Sequence, residues 1–240
     1  MKKNKVIKLL PVILLIFILV FLVMPNKGKY VFTGSKIIAD VESKETEVKD
    51  RTVKDYRIEY DNNDIVGLLS IDNTDYQTLV TQSSDNNYYL RRDVNKKYSR
   101  GGTPFLDYRV NIDRSKKILI YGHNSKYVDM PFKILENYYD KDYYNKHKYI
   151  TLKTVKDEYK YEIFSVYVEP EDWSYLQVEF KNDEEYLSHL KMLKNNSMYD
   201  TKVEVSSSDK ILILQTCSTK KEYKKYKKKF LLIIARKVEV

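Results

Sequence analysis

Short runs of continuous or alternating apolar residues recur along the chain from Asp64 onward, and turn-forming residues separate them. Many of these runs are rich in isoleucine, valine and tyrosine, which suit the pleated surface of a β-sheet. The run Ile211-Leu212-Ile213-Leu214 is apolar at every position, which predicts a central strand buried on both faces. The pattern as a whole predicts strands at residues 65–71, 77–82, 105–110, 117–121, 149–155, 159–169, 202–205, 210–215 and 230–238.

A helical spacing of apolar residues appears in two places, at 131–139 and more clearly at 183–193. In the second segment one tyrosine and two leucines fall on the same helical face. Asn182 precedes that segment, and its side chain can accept a hydrogen bond from the first free backbone N–H groups. Many strands and few helices predict a mainly-β fold, either a barrel or a sandwich, that carries helical insertions.

The first 25 residues have a different pattern. Residues 9–24 are apolar except for Pro11, and four lysines precede them. With Val6 and Ile7 the stretch approaches the roughly 20 residues that cross a bilayer. The positive-inside rule then keeps the N-terminus in the cytoplasm and exports the rest. A cleaved signal peptide is the alternative, but the end of the run lacks the small residues of a cleavage site.

This pattern predicts three parts: a transmembrane anchor at 1–25, a stalk with an N-terminal helix at 26–61, and a folded domain at 62–240. The expected location is the cell membrane, with a single span and the domain outside the cytoplasm.

Composition narrows the chemistry. The chain has 240 residues and a formal net charge of +9, with one cysteine, three histidines and six glycines. A single cysteine rules out an intramolecular disulfide, and the sequence has neither the glycine-rich nucleotide motifs nor a close Cys/His cluster for zinc. The lysine excess suits anionic surroundings, such as lipid headgroups, wall polymers or nucleic acid, or simply a solubilising surface.

Two candidate reactive residues each follow an apolar strand. Cys217 ends the strand that contains Ile211-Leu212-Ile213-Leu214, and His123 follows Ile118-Leu119-Ile120-Tyr121. If these strands are neighbours and end at the same edge, the thiol and the imidazole meet, and the imidazole can act as general base and acid. His147 and His189 do not follow such a strand, so substituting either one is expected to be nearly neutral.

The chain resembles the sortases, and among them class B, over roughly residues 62–240. The resemblance rests on motifs that occur in the family's order, and the insertion before the cysteine strand contains Tyr175-Leu176 and the helix after it. The matching motifs are Ile65-Val66-Gly67, Asn87-Tyr88-Tyr89-Leu90 with Asp93, Phe105-Leu106-Asp107-Tyr108-Arg109, Tyr121-Gly122-His123-Asn124 and Leu214-Gln215-Thr216-Cys217. It implies an eight-stranded β-barrel with an N-terminal helix and a helix before the cysteine strand.

The resemblance also implies a reaction. Cys217 would cleave a C-terminal sorting motif of the NPxTx kind after its threonine, and His123 would protonate the leaving amine. An amine from a peptidoglycan precursor or a pilin would then resolve the thioacyl-enzyme. The positions that match the peptide groove are Leu90, Tyr175 and Leu176, while Thr216 precedes the nucleophile. Neither a cofactor nor a nucleic-acid partner is expected; the expected partners are surface proteins that carry the sorting motif.

One departure concerns the family's arginine at the start of the last strand. Alignment on Ala235-Arg236 places Phe230 at that position. In an antiparallel strand Arg236 would lie roughly 20 Å from the cysteine end, too far for an oxyanion contact of about 3 Å. Lys229, one residue off this register, ranks above Arg236 as the substitute and would reach the site if a bulge shifts the strand. The alternative is that no side chain replaces the arginine.

The segment 220–229, which holds seven lysines, is either a solvated loop or a site of attraction to anionic polymer or membrane.

Two other functions stay open for the protein as a whole. One is an exported cysteine protease, in which water rather than an amine resolves the acyl-enzyme. The other is a non-catalytic surface protein with a basic binding face, in which Cys217 would be inert towards thiol reagents.

Overall fold

The computed structural model describes residues 51–170 and 172–239. The predicted anchor at 1–25 and the stalk as far as residue 50 lie outside the described residues. Within the described part of the chain, no helix is both long enough and apolar enough to cross a membrane.

Eight strands form a closed barrel in the order β1-β2-β3-β4-β7-β8-β6-β5. Two neighbouring pairs, β2/β3 and β4/β7, are parallel, and β1 pairs with β5 to close the barrel. The strands are β1 (Ile65–Ile71), β2 (Gln77–Thr81), β3 (Phe105–Leu106), β4 (Lys117–Tyr121), β5 (Tyr149–Thr154), β6 (Glu158–Glu169), β7 (Ile211–Cys217) and β8 (Phe230–Val238).

Two strand predictions differ from the structure. The strand predicted at 105–110 ends at Leu106, because the Asp107 carboxylate accepts hydrogen bonds from the backbone and side chain of Arg109 and turns the chain. The strand predicted at 202–205 is wrong. Lys202 has a left-handed backbone (φ 63°) that interrupts an extended run, and Val203 instead packs into the cluster between helix and sheet.

Three α-helices of the described residues pack on the barrel: α1 (Val53–Tyr60), α2 (Lys141–Lys146) and α3 (Asp183–Asn195). Thr52 and Asp55 cap α1 reciprocally, and Asn182 caps α3 by accepting from the Glu185 N–H, as predicted. The helix predicted at 131–139 is a 3₁₀ segment, Lys133–Tyr139. Further 3₁₀ turns cover Tyr88–Arg91, Ser174–Leu176 and Lys221–Tyr223.

Strand β7 lies between two apolar clusters, as its unbroken apolar sequence predicted. Leu212 and Leu214 point into the barrel interior, while Ile211 and Ile213 point towards α3. This alternation follows from the two-residue period of a strand. It places Cys217 on the face of the sheet that Ile213 shares with α3.

Candidate active site

The parallel pairing of β4 and β7 brings the two candidate reactive residues to one edge of the barrel. Tyr121 is paired with Gln215, and the Gly122 N–H donates to the Gln215 carbonyl at 3.0 Å. His123 and Cys217 each lie two residues beyond that pair, so both stand at the same level. The Asn124 side chain donates to the Cys217 carbonyl at 3.0 Å and links the two strand ends.

Cys217 is the last residue of β7 and is exposed at the surface. The atoms packed around its sulfur raise the pKa of the thiol, while the Lys229 charge acts in the opposite direction. Because burial disfavours a thiolate, the resting side chain is the neutral thiol at neutral pH.

His123 is half-buried, and its Nε2 lies 2.9 Å from the Leu90 carbonyl. Burial lowers the pKa of the imidazole, the Leu90 carbonyl opposes this shift, and Arg91 adds to it. A neutral ring whose Nε2–H donates to Leu90 has its lone pair on Nδ1. That arrangement leaves one ring nitrogen free to accept a proton.

The loop that carries His123 is fixed by close packing. The Phe132 N–H donates to the His123 carbonyl at 3.0 Å. A Cβ atom at Gly122 would lie 2.5 Å from the Phe132 ring, so glycine is required there. On the neighbouring strand, the buried Thr216 hydroxyl donates to the Gly122 carbonyl at 2.8 Å. Thr216 therefore joins the two strand ends from the interior side.

The predicted groove residues lie on two 3₁₀ turns. Leu90 is half-buried in Tyr88–Arg91, and the backbone of this turn approaches Gly102 so closely that a Cβ there would overlap a carbonyl oxygen. Tyr175 is fully buried in Ser174–Leu176, where its hydroxyl donates to Gln215 Oε1 at 2.7 Å, and Leu176 is half-buried. The Tyr175 ring is thus tied to the cysteine strand two residues before Cys217.

The register of β8 locates the candidates for the family's arginine. Along the whole described length of both strands, β7 and β8 pair without a register shift, from Ile211 opposite Arg236 to Cys217 opposite Phe230. The bulge that would bring Lys229 to the place of the arginine is therefore absent between β7 and β8, and the register shift of β8 occurs against β6 instead. The Ser218 N–H donates to the Lys229 carbonyl at 3.0 Å, so Lys229 lies opposite Ser218, one position beyond the Cys217–Phe230 pair.

Arg236 and Lys229 lie in different surroundings. Arg236 pairs with Glu162 at 2.9 Å at the far end of the ladder, as its predicted distance from Cys217 requires. The Lys229 ammonium donates to the Tyr226 carbonyl at 3.3 Å, and its charge partly opposes the rise that burial causes in the pKa of the Cys217 thiol. Phe230, opposite Cys217, packs against Trp173 with the ring centroids 5.6 Å apart.

A polar network behind the groove was not predicted. Asp107 is fully buried; burial alone would raise its pKa, but hydrogen bonds from Arg109 and the Tyr121 hydroxyl lower it to about 2. Lys117, at the start of β4, is also fully buried, and its ammonium lies 2.8 Å from His189 Nε2. Asp107 and Arg109 belong to the motif Phe105-Leu106-Asp107-Tyr108-Arg109. Lys117 is the one charged residue of an otherwise apolar strand, and this unusual position could have pointed to a buried role.

The described residues contain no group of three or more acidic, histidine or cysteine side chains placed to hold a metal ion.

Comparison with known proteins agrees with this arrangement. The sortase domain family matches residues 69–238. Sortase B of Listeria monocytogenes is 38% identical over 165 residues, which cover 68% of this chain and 67% of that protein. The crystal structure of Clostridium perfringens sortase B superposes with a TM-score of 0.69 at 27% identity, covering 77% of this chain and 99% of the other. A Staphylococcus aureus sortase B–substrate complex gives a TM-score of 0.70 at 26% identity, over 80% and 88% of the two chains.

The chain therefore belongs to the sortase family of cysteine transpeptidases. These relatives and structural neighbours are sortase B proteins, which makes it a class B member.

Proposed function

We propose that Cys217 is the nucleophile and His123 the general base and acid of a transpeptidase that acts on an NPxTx-like sorting motif. The observation that carries the proposal is the parallel β4/β7 register, which brings both residues to the same level at one edge of the barrel. The Staphylococcus aureus sortase B solved with a substrate supports a peptide substrate for this chain as well.

The first half of the reaction follows from the resting charges. His123 Nδ1 accepts the thiol proton as the Cys217 sulfur attacks the carbonyl carbon of the motif's threonine. The tetrahedral intermediate then collapses and breaks the C–N bond. His123 returns the proton to the leaving amine, and a thioester remains on Cys217.

The second half reverses the roles. An incoming amine attacks the thioester carbonyl, and His123 takes a proton from the attacking nitrogen. The C–S bond breaks, and the thiolate recovers its proton from His123. The product is a new amide between the sorted protein and the amine of a peptidoglycan precursor or a pilin. If water replaces the amine, the same residues perform the hydrolysis of a cysteine protease.

The groove and the oxyanion site complete the proposal. Leu90 and Leu176 are half-buried on the two turns and contact the sorting peptide. The fully buried Tyr175 fixes its turn to β7 through Gln215, and Thr216 holds the strand ends in place. Lys229 supplies the positive charge for the oxyanion, because its backbone is paired with Ser218, the residue directly after Cys217. A lysine gives a point charge without the planar fork of an arginine.

Mass spectrometry of residues 51–240 incubated with NPxTx peptides tests the proposal. We expect an acyl adduct on Cys217, loss of the adduct in Cys217→Ala, and a new amide product when triglycine is added. A shuffled peptide with the same composition is the control. Release of free acid that triglycine does not divert would favour the protease, and a Cys217 that forms no adduct and resists iodoacetamide would favour the non-catalytic protein.

We also propose that residues 1–25 anchor the protein in the cell membrane as a single span and that residues 26–61 carry domain 62–240 outside the cytoplasm. The apolar run preceded by four lysines supports this orientation. The amine acceptors and the sorting-motif proteins would then be reached at the outer face.

A further inference from the structure

Lys117 is a buried cation that the proposed reaction does not use. It is the first residue of β4, is 1% exposed, and lies between the sheet and the turn Ser174–Leu176. Its ammonium contacts the Tyr175 carbonyl at 2.5 Å, the Gln177 carbonyl at 2.7 Å and His189 Nε2 at 2.8 Å. A lysine has three N–H donors, so these three acceptors use all of them.

The same two carbonyls stay bound in either protonation state of Lys117. Burial and Lys117 lower the pKa of His189 to about 3, so its ring is neutral and Nε2 can accept from the ammonium. Burial and Arg109 also lower the pKa of Lys117. A neutral amine would still donate to both carbonyls and would accept from the Nε2–H tautomer of His189.

Arg109 binds the carbonyl that lies between these two. Its Nη2 donates to the Leu176 carbonyl at 3.2 Å, while its guanidinium is held by two hydrogen bonds to the Asp107 carboxylate. Three consecutive backbone carbonyls, at positions 175–177, are therefore bound by the side chains of Lys117 and Arg109. Because Asp107 is buried and bonded to the Tyr121 hydroxyl as well, Arg109 has little freedom to follow a moving turn.

The other end of this turn reaches the cysteine strands. Trp173 precedes the turn and packs on Phe230, which is paired with Cys217. The Tyr175 hydroxyl binds Gln215. The turn thus connects the buried cations on one side with the reactive edge on the other.

We propose that Lys117 is a positioning residue that sets the place of the 174–177 turn and thereby the affinity of the peptide groove for its substrate. The inference rests on the proposed function, since it assigns a role to the wall of that groove. An apolar residue would fill the space of Lys117 but would leave the buried Tyr175 carbonyl and the part-buried Gln177 carbonyl without this donor. The turn would then move towards water, away from its place beside Cys217.

Lys117→Met tests the proposal, with Lys116→Met as the matched control. Lys116 is the adjacent lysine, but its ammonium is exposed and binds Asp183 at 2.8 Å and the Ser207 carbonyl at 3.3 Å, away from the turn. We expect Lys117→Met to lower kcat/KM for the sorting peptide by about tenfold to a hundredfold, mainly through KM. The rate of Cys217 alkylation by iodoacetamide should stay unchanged, and Lys116→Met should match the parent in both assays.

Tryptophan fluorescence gives a readout that does not depend on turnover. The chain has one tryptophan, Trp173, which directly precedes the turn, so the emission reports on the surroundings of this single side chain. We expect the emission to shift in Lys117→Met and to stay unchanged in Lys116→Met. Unchanged KM and unchanged emission in a folded Lys117→Met protein would overturn the proposal. If the parent protein formed no Cys217 adduct, the proposed function would fail, but the emission shift would still decide the role of Lys117.

His189→Leu serves as the second variant if circular dichroism shows that Lys117→Met does not fold. It removes one of the three acceptors of the ammonium and leaves both carbonyls. We expect a smaller rise in KM and a smaller emission shift in the same direction, in contrast to the neutral effect that the sequence pattern suggested for His189. Parent values for both quantities in a folded His189→Leu protein would overturn the proposal in that case.

Discussion

At the scale of single residues, the surroundings of His123 and Cys217 keep both side chains uncharged before a substrate binds. Burial lowers the pKa of His123 and raises the pKa of Cys217, so the two shifts act against a thiolate–imidazolium pair. The proton that the leaving amine requires is therefore already present on the thiol. His123 needs only to move it from sulfur to nitrogen, which is a general base and then a general acid function.

Removing the imidazole should therefore affect the chemical step. His123→Ala should lower kcat by at least about 10²-fold, the usual contribution of a positioned acid–base group. His147→Ala is the matched control, because His147 Nδ1 contacts the Asp72 carbonyl at 3.0 Å and its ring packs on Tyr143. Steady-state kinetics on a sorting peptide would check this. Equal losses in the two variants would indicate a structural effect and would remove His123 from the mechanism.

The pH profile should follow from the two pKa shifts. The ordinary values are 6.5 for histidine and 9.0 for cysteine, and the fold lowers the first and raises the second. As the pH falls through the lowered pKa of His123, the imidazolium can no longer accept the thiol proton. As the pH rises through the raised pKa of Cys217, the proton for the leaving amine is lost.

We therefore expect kcat/KM to be constant between about pH 6.5 and 9. It should fall below this range as His123 gains a proton and above it as Cys217 loses one. Iodoacetamide alkylation of Cys217 gives an independent measurement: because only the thiolate reacts and burial raises the pKa of this thiol, the rate should climb steadily with pH and show no plateau up to about pH 9. Rapid, pH-independent alkylation near pH 6 would show a resting thiolate and contradict the assignment of a neutral pair.

At the scale of elements, the unshifted β7/β8 ladder places Lys229 beside the cysteine end and Arg236 at the far end. Lys229→Ala should lower kcat by about 10²–10³-fold, the usual effect of removing one oxyanion donor, and Lys229→Arg should retain or raise activity. Arg236→Ala is the control on the same strand. Its half-exposed ion pair with Glu162 contributes at most about 1 kcal/mol to stability, so turnover should be unaffected.

The opposite pattern would contradict the register. A folded Arg236→Ala protein without turnover, next to an active Lys229→Ala protein, would require the two strands to slide past each other. If neither substitution changes kcat, backbone N–H groups alone bind the oxyanion. In that case Phe230→Arg, which places a guanidinium opposite Cys217, should accelerate the reaction.

The elements that sequence predicts best are those with a continuous local pattern. The predicted bounds of β1, β4 and β8 are the observed ones, because each is a dense apolar run between turns. The prediction at 202–205 failed because the left-handed Lys202 cannot be read from an alternating pattern. The Lys117–His189 contact joins residues 72 positions apart. Only the packing of α3 on the sheet brings them together, so local periodicity carries no signal for it.

At the scale of the whole molecule, charge and topology concentrate lysines beside the active site. Segment 220–229 joins β7 to β8 and so begins next to Cys217. Some of its lysines lie over aromatic rings, with Lys220 4.1 Å from the Tyr139 ring centroid and Lys228 5.0 Å from that of Trp173. The chain as a whole has a net charge of +9. The lysines of segment 220–229 should therefore attract the domain to an anionic surface, and this attraction should weaken as salt is added.

The proposed membrane anchor leads to the last prediction. An apolar run near the roughly 20 residues that span a bilayer, preceded by four lysines, should remain attached and keep the N-terminus inside the cell. Membrane fractions should therefore contain the full-length chain, and protease added to intact cells should remove the domain while leaving a fragment with the first 25 residues. A variant in which the lysines at positions 2, 3, 5 and 8 are replaced by glutamate is the matched control, because loss of positive charge should weaken this orientation and protect part of the domain. Recovery of a soluble mature protein that begins near residue 26 would instead show that the segment is a cleaved signal peptide.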